Sequence, residues 1–264
     1  MERTARIESE PFRWTSASRS HTGLVREVNE DACLDHPEHR VWAVADGMGG
    51  HALGEFASRL AVNSLNDMAA SQSLEECVAD ARERLQDANR RLRAEAAMRD
   101  VPLIGTTIVA LLATGRRCAF LWAGDSRLYL CRAGRLSLLT RDHSEIEAAR
   151  TAPAASHANP DATLERPPAN LITRALGAVD IVDIDVATLD VRDGDVFLLC
   201  SDGLSNEVGE GAIERALLPA SCAQACEVLV DLALEAGGRD NISAVVIRAD
   251  DLHSPDRTDM HPVM

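Results

Sequence analysis

Apolar and polar residues follow two different periods along this chain, and the change from one to the other comes near residue 105. Apolar residues recur every three or four positions after residue 52 and again after residue 73, which predicts two amphipathic helices. Ser73 and Glu76 form a capping box, a pairing that marks the start of the second helix. From residue 105 onward, short apolar runs separated by turn residues predict β-strands. The predicted strands span residues 14–21, 41–45, 106–112, 118–123, 127–131, 136–139, 171–176, 181–189, 196–200 and 243–248.

A last helix is predicted over residues 221–236, where Ser221 and Gln224 form another capping box and Gly237 ends the pattern. The order is therefore two helices, a meander of strands, an irregular segment, more strands and a closing helix. Helices segregated from mainly antiparallel strands predict an α+β fold, with two packed sheets and the helices outside them.

The irregular segment, from about 142 to 170, is rich in Ala, Pro, His and Asn and shows little periodicity. Long segments of this kind are usually functional or disordered, so we interpret it as a flap over a functional edge. No linker divides the chain. We therefore predict one domain over residues 13–250, between an N-terminal tail (1–12) and a C-terminal tail (251–264) that lack a core pattern.

The predicted strand 41–45 ends at a carboxylate that is followed by glycines, in the sequence Asp46-Gly47-Met48-Gly49-Gly50. Because glycine has no side chain, the backbone carbonyls there can be approached closely. A hard cation prefers carboxylate, carbonyl and water oxygens as ligands. The alternative is a hairpin, because Asp-Gly is a strong turn signal. A hairpin needs a second strand, however, and a helical pattern follows instead.

Three more aspartates stand at the ends of predicted strands, namely Asp125, Asp202 and Asp240. Carboxylates that lose their solvent at strand ends repel one another unless a cation lies between them. Oxygen ligands without a His or Cys cluster favour Mg²⁺ or Mn²⁺ over zinc, and two such ions about 3.5–4 Å apart can lower the pKa of a shared water. With Arg26 as a planar clamp for phosphate oxygens, the pattern predicts metal-assisted hydrolysis of a phosphate ester.

Composition narrows the choice of partners. The 264 residues carry a net charge of −15, and all 27 basic residues are arginines, so binding to nucleic acid or to anionic membranes is not expected. No apolar run reaches the roughly 18 residues of a membrane span, and the first residues lack the apolar core of a signal peptide. The 7 scattered cysteines predict buried reduced thiols. We expect a cytoplasmic monomer.

A series of short motifs, in order and covering nearly the whole chain outside the two tails, resembles the metal-dependent PPM (type 2C) Ser/Thr protein phosphatases, bacterial branch. Each motif alone is weak, and together they are very specific. The motifs are Arg26 with Asn29-Glu30-Asp31, Asp46 to His51, Gly105-Thr106-Thr107, Gly124-Asp125-Ser126-Arg127, Leu139 to Ser144, Ile172 to Gly177, Ser201 to Leu204 and Arg239 to Ser243.

The resemblance implies an α/β/β/α sandwich of four layers, with a site for two Mn²⁺ or Mg²⁺ ions at one edge of the two sheets. It implies that Asp46 bridges the two ions and that the Gly47 carbonyl binds one of them. By the same resemblance, Asp202 and Asp240 complete the other ion's ligands. Catalysis is expected through direct attack of a metal-bridging hydroxide on phosphorus, without a phosphoenzyme.

Other matching positions imply supporting roles. Glu30 and Asp31 are expected to act through metal-bound waters, and Arg26 to hold the substrate phosphate. Asp125, together with Asp202, matches a third, weaker metal site seen in bacterial members. Met48 departs from the animal relatives, which have a histidine proposed as general acid at this position; methionine has no proton to donate.

Two histidines and an arginine near these motifs are interpreted as structural. His51 and His143 are assigned packing or hydrogen-bonding roles, and Arg174 is interpreted as a partner for the acidic site. The flap also departs from the family pattern, since residues 145–168 lack its Gly- and Glu-Ala-containing sequence.

The resemblance implies a protein phosphatase that removes phosphate from Ser or Thr of proteins phosphorylated by a partner kinase. One alternative is a catalytically silent adaptor of the same fold, which binds phosphoproteins without hydrolysing them. Another is a regulator phosphatase acting on anti-sigma antagonist proteins, a type that usually carries a sensor domain not expected in this chain.

Overall fold

The computed structural model describes residues 11–50, 52–68, 73–145, 147, 172–218 and 221–254. His51, most of the predicted flap and most of both predicted tails lie outside these ranges. The described part forms two mainly antiparallel sheets that pack face to face, with helices on the outer faces. The structure thus confirms the α+β sandwich, while the division of the chain into one domain and two tails stays a prediction.

The two sheets have five and six strands. The strands are β1 (Phe12–His21), β2 (Asp31–His36), β3 (Val41–Met48), β4 (Gly105–Thr106), β5 (Ile108–Thr114), β6 (Arg117–Ala123), β7 (Arg127–Arg132), β8 (Arg135–Leu138), β9 (Asp185–Asp190), β10 (Asp195–Cys200) and β11 (Ile242–Asp251). The smaller sheet has the order β1-β11-β10-β7-β8, and the larger has the order β2-β3-β5-β6-β9 with β4 paired to β3.

The helices cover both outer faces. They are α1 (Ala52–Asn66), α2 (Leu74–Arg99), α3 (Asp202–Ser205), α4 (Glu210–Leu217) and α5 (Cys222–Glu235). Helices α1 and α2 pack on the larger sheet, and α4 and α5 pack on the smaller one. Among the described helices, none is long and apolar enough to cross a membrane.

The caps predicted from the sequence set the starts of two helices. The Ser73 hydroxyl accepts a hydrogen bond from the Glu76 N–H (3.1 Å), and the Ser221 hydroxyl accepts one from the Gln224 N–H (3.3 Å). Each serine thereby satisfies one of the N–H groups that the first turn of a helix leaves without a partner.

Strand β3 is buried on both faces, as its apolar run predicted. Ala43 and Ala45 face α1 and α2, whereas Trp42 and Val44 point into the layer between the two sheets. This alternation follows from the two-residue period of a strand. Because helices cover one face of β3 and the second sheet covers the other, its C-terminal end has a fixed position.

Three sequence predictions about secondary structure were wrong or incomplete. The described residues of the predicted strand 171–176 form no strand, since Ile172 and Leu176 make only isolated bridges, and β9 begins at Asp185 instead of residue 181. The predicted strand 106–112 is interrupted at Thr107, between β4 and β5. The short helices α3 and α4 were not predicted.

Side chains of α2 explain why residues 177–184 do not join a sheet. The buried Asn89 donates to the carbonyls of Val179 (3.0 Å) and Asp180 (3.1 Å), and its Oδ1 accepts the Gly177 N–H (2.6 Å). Gln86 donates to the Val182 carbonyl in the same way (2.6 Å). Side chains of α2 therefore provide hydrogen-bond partners for the backbone of this segment, and these bonds outweigh its local β-propensity.

We expect Asn89→Ala to lower the free energy of unfolding by at least about 2 kcal/mol, because it leaves several buried backbone groups without partners. Urea denaturation measures the change. Arg90→Ala is the control, since its ion pair with Asp87 is exposed and contributes less than about 1 kcal/mol. Equal stabilities for the two variants would contradict this account of the segment.

Candidate metal centre

The structure brings the sequence-predicted aspartates to one end of the sandwich. Asp46, near the end of β3, lies opposite Asp31, the first residue of β2. Asp202 lies two residues after the end of β10, and Asp240 lies two residues before β11, the strand beside β10 in the smaller sheet. Asp125 lies in the turn between β6 and β7, which passes from one sheet to the other at this end.

Close backbone packing holds two of these aspartates near each other. A Cβ atom on Gly203 would lie only 2.1 Å from the Asn241 carbonyl oxygen and 3.2 Å from Asp240 Cβ. Only glycine fits such an approach, so Gly203 allows the start of α3 to lie against the segment before β11. Asp202 and Asp240 are the residues adjacent to this contact.

The electrostatics of Asp46 show how close the carboxylates are. Removal from solvent is the main cause that raises the pKa of Asp46 well above the usual range for aspartate. The negative charges of neighbouring carboxylates raise it further. In order of effect, these neighbours are Asp31, Asp202, Asp125 and Asp240.

Three of the neighbouring carboxyl groups are shifted in the same direction. Burial raises the pKa of Asp31 to about 7, although hydrogen bonds from Ser201 and Ser243 oppose the shift. Burial, with the charge of Asp202, raises the pKa of Asp125 to about 7. Burial and the charge of Asp240 also raise the pKa of Asp202. These aspartates therefore form one electrostatically coupled group.

The donor set fits a hard divalent cation. Asp31 Oδ1 and Asp202 Oδ1 are buried without a hydrogen-bond partner, which is costly for carboxylate oxygens. Positive charge among these atoms would offset both the missing hydrogen bonds and the mutual repulsion. Among the described residues, no three His, Cys, Asp or Glu side chains are arranged closely enough to hold an ion by themselves.

Hydrogen bonds orient two of the carboxylates at this site. Asp240 Oδ2 accepts from Arg26 Nη2 (2.8 Å), and Asp240 Oδ1 accepts from the Asn241 N–H (2.8 Å). Asp202 Oδ2 accepts from Asn206 Nδ2 (3.1 Å). Arg26 and the Asn241 backbone thus orient the Asp240 carboxylate, and Asn206 orients the Asp202 carboxylate.

Glycines also shape the side of the site that faces α1. The Gly47 N–H donates to the Glu30 carbonyl (3.1 Å), and a Cβ on Gly47 would lie 2.0 Å from the Gly54 carbonyl oxygen. A Cβ on Gly54 would lie 2.3 Å from Glu30 Oε1. The absence of side chains at both glycines lets the Glu30 carboxylate lie against the first turn of α1.

Two threonines fix the backbone of Asp46, and sequence reasoning missed their role. The Asp46 N–H donates to Thr107 Oγ1 (2.9 Å), while Thr106 Oγ1 donates to the Asp46 carbonyl (2.9 Å). Thr107 Oγ1 also lies 2.8 Å from Ser126 Oγ, in the turn that carries Asp125. The sequence analysis gave Gly105-Thr106-Thr107 as one motif of the series but assigned no role to the two hydroxyl groups.

Asn241 has a similar role that was not predicted. Its Oδ1 accepts the Glu30 N–H (2.8 Å), and its Nδ2 donates to the carbonyls of Thr22 (2.8 Å) and Val28 (2.9 Å). One side chain therefore attaches residues 22–30 to the segment that contains Asp240. Arg26 lies in the middle of this loop, and its side chain is 54% exposed.

His143 and Arg174 form a hydrogen-bonded group at the base of the predicted flap. His143 Nδ1 accepts the Gly124 N–H (3.2 Å), and its Nε2 lies 3.2 Å from Asp185 Oδ2. Arg174 pairs with Asp183 (3.0 Å) and Asp185 (2.9 Å). The hydrogen-bonding role predicted for His143 is confirmed, and the acidic partners of Arg174 differ from the expected ones.

The comparisons with known proteins agree with this arrangement. The family model described as "Protein phosphatase 2C" matches residues 17–231. The serine/threonine protein phosphatase PstP of Mycobacterium tuberculosis is 36% identical over 235 residues, which cover 87% of this chain. The chain spans only 44% of the length of that protein.

Solved structures give the same result. PppA, a key regulatory component of T6SS in Pseudomonas aeruginosa, has a TM-score of 0.82 and 43% identity, covering 89% of this chain and 97% of PppA. The catalytic domain of PstP in complex with 2 manganese ions has a TM-score of 0.77 and 35% identity, covering 91% of this chain and all (100%) of that domain. The resemblance drawn from the motifs is thereby confirmed.

The raised pKa of Asp31 predicts a specific pH dependence of stability. A carboxyl group whose pKa is higher in the folded than in the unfolded chain stabilises the fold fully below about pH 4, and this contribution is lost as the pH rises through about 7. In EDTA, we expect the free energy of unfolding of the unsubstituted protein to fall more steeply between about pH 5 and pH 7 than that of Asp31→Asn. The difference in slope is at most about 1.4 kcal/mol per pH unit.

Urea denaturation at several pH values measures both slopes. Asp87→Asn, on the exposed face of α2, is the matched control and should keep the slope of the unsubstituted protein. If Asp31→Asn also keeps that slope, Asp31 is not the group that titrates.

Proposed function

The chain belongs to the protein phosphatase 2C family, and we propose that it is a metal-dependent phosphatase acting on phosphoserine and phosphothreonine in proteins. The observation that supports this most directly is the coupled group of Asp31, Asp46, Asp125 and Asp202, whose buried oxygens need positive charge, next to Arg26. Such a site suits phosphoryl transfer to water, in which charge stabilisation and positioning supply most of the rate enhancement.

Two Mn²⁺ or Mg²⁺ ions are part of this proposal. Asp46 and the Gly47 carbonyl would hold one ion, and Asp46, Asp202 and Asp240 would hold the other. The PstP catalytic domain, a relative with 35% identity, is known in complex with 2 manganese ions. When bound, such ions supply positive charge and a water of lowered pKa. We further propose Asp125 for a third ion.

Glu30 and Asp31 would act through waters bound to the metal ions rather than as direct metal ligands. Asp31 Oδ2 accepts a hydrogen bond from the Ser201 hydroxyl (2.7 Å), while Asp31 Oδ1 is buried without a hydrogen-bond partner. The Glu30 backbone N–H is held by Asn241 (2.8 Å). The Asp31 carboxylate and the Glu30 backbone are therefore held by hydrogen bonds to residues of the other sheet or of the segment before β11.

Arg26 binds and orients the substrate phosphate. The charge and hydrogen bond of Asp240 raise the pKa of Arg26, so the guanidinium stays cationic at all working pH values. One of its donors is used by Asp240 (2.8 Å), and the exposed remainder of the group is available to phosphate oxygens. The same ion pair connects the phosphate-binding side chain to a proposed metal ligand.

The catalytically silent adaptor has less support. An adaptor of this fold is expected to have lost metal ligands, and none of the implied ligand positions is substituted in this chain. The cognate kinase, the cytoplasmic location and the monomeric state stay predictions from the sequence.

Asp46→Asn should lower kcat/KM for a phosphothreonine peptide in Mn²⁺ by at least about 100-fold, because it removes charge where two ions are proposed to share a ligand. Release of inorganic phosphate measures the reaction, with and without EDTA. Asp87→Asn is the matched control and should retain full activity. Hydrolysis that survives both Asp46→Asn and EDTA would overturn the metal-dependent scheme, and peptide binding without hydrolysis would support the adaptor.

Arg26→Ala should lower kcat/KM for the same peptide by roughly 10- to 100-fold, mainly by raising KM. Arg26→Lys should recover only part of the loss, since lysine keeps the charge but not the two-pronged geometry. Arg59→Ala, which removes an exposed arginine of α1, controls for the change in net charge. Activity of Arg26→Ala equal to that of Arg59→Ala would rule out phosphate binding by Arg26.

A further inference from the structure

The loop that carries Arg26 exposes three branched apolar side chains. Leu24 and Val25 are each 66% exposed, and Val28 is 40% exposed. We call these three residues the apolar lip. Single exposed apolar residues are common on protein surfaces, but three within five positions, on both sides of a proposed phosphate-binding arginine, form a local patch.

The exposure of the lip is imposed by hydrogen bonds of its backbone. The Leu24 N–H donates to the Gly238 carbonyl (2.7 Å), and the Val28 carbonyl accepts from Asn241 Nδ2 (2.9 Å). Gly23 has φ +84°, and a Cβ there would lie 2.2 Å from the Asp240 carbonyl oxygen. The loop backbone is thus fixed against residues 238–241, and its apolar side chains are left in solvent.

The position of the lip decides what can occupy it. The lip residues lie within two positions of Arg26 in the chain, and successive residues of an extended peptide are about 3.3–3.6 Å apart. The nearest neighbours of a phosphorylated residue bound at Arg26 are therefore within reach of this loop. The other exposed side chain of the loop is the acidic Glu27, and the chain as a whole carries a net charge of −15. Acidic neighbours of the phosphorylated residue are therefore repelled.

We propose that the apolar lip selects phosphorylated segments that have an apolar side chain within two residues of the phosphoserine or phosphothreonine, and that it discriminates against acidic neighbours. This inference rests on the proposed function, because it places the substrate phosphate at Arg26. Burial of one apolar side chain is enough for about tenfold selection.

The test compares three phosphothreonine peptides that have leucine, asparagine or glutamate at the positions flanking the phosphothreonine. p-Nitrophenyl phosphate, which has no flanking residues, is the fourth substrate. For the unsubstituted protein with Mn²⁺, we expect kcat/KM to be about tenfold higher for the leucine peptide than for the asparagine peptide, and lowest for the glutamate peptide.

The double variant Leu24→Ala/Val25→Ala should remove most of the leucine preference through KM and leave hydrolysis of p-nitrophenyl phosphate unchanged. Val25→Thr keeps the branched shape of the side chain, so it tests the loss of apolar contact without a change in loop structure. It should reduce the leucine preference about threefold. Val228→Ala, at an exposed valine of α5, is the matched control and should have no effect.

The outcomes separate this inference from the proposed function. Equal kcat/KM for the three peptides, with p-nitrophenyl phosphate still hydrolysed, overturns the lip and leaves the phosphatase proposal intact. No hydrolysis of any of the four substrates overturns the proposed function itself. If the unsubstituted protein sediments as a dimer that the double variant abolishes, and no peptide preference exists, the lip contacts a second copy of the chain and the proposal is wrong.

Discussion

Repulsion among buried carboxylates is the constraint to which much of the rest of this structure responds. Asp31, Asp46, Asp125 and Asp202 all have raised pKa values, because each has lost solvent and most lie near another negative charge. Separate elements of both sheets carry these groups, so the fold itself must hold them together. Positive charge would offset the repulsion at such a site, and divalent ions that prefer oxygen ligands can supply it.

Neutral hydrogen-bonding side chains hold this group in position. Thr106 and Thr107 bind the backbone of Asp46, and Ser201 binds the carboxylate of Asp31. Asn241 attaches the loop before β2 to the segment before β11. These residues are uncharged, so they position the carboxylates without neutralising the charge that the proposed ions would use.

The Arg26 loop connects the metal centre to the surface. Its backbone is bonded to residues 238–241, and its arginine pairs with Asp240. In our proposal, a peptide whose phosphate binds at Arg26 also contacts the apolar lip, since hydrogen bonds to residues 238–241 hold the loop that carries both. In this proposal, phosphate binding and the choice of substrate peptide depend on the same short loop. Most of the flap segment, whose sequence departs from the family pattern, lies outside the described residues.

The sequence by itself determined the elements whose information is local. The helix α2 follows from a three-to-four-residue apolar period and a serine cap, and β3 follows from an apolar run that ends at Asp46-Gly47. The motif series also named the aspartates that the structure brings to one end of the sandwich, because their residue types and order carry the family resemblance.

The tertiary structure decided the contacts that join distant residues. Thr107 and Asp46 are 61 positions apart, and Asn241 and Glu30 are 211 positions apart, so no local pattern predicts either hydrogen bond. Residues 172–176 have a strand-like sequence but make only isolated bridges, and the segment after them is satisfied by α2 side chains such as Asn89. Local preference is worth about 1 kcal/mol or less per residue, and buried hydrogen bonds from another element outweigh it.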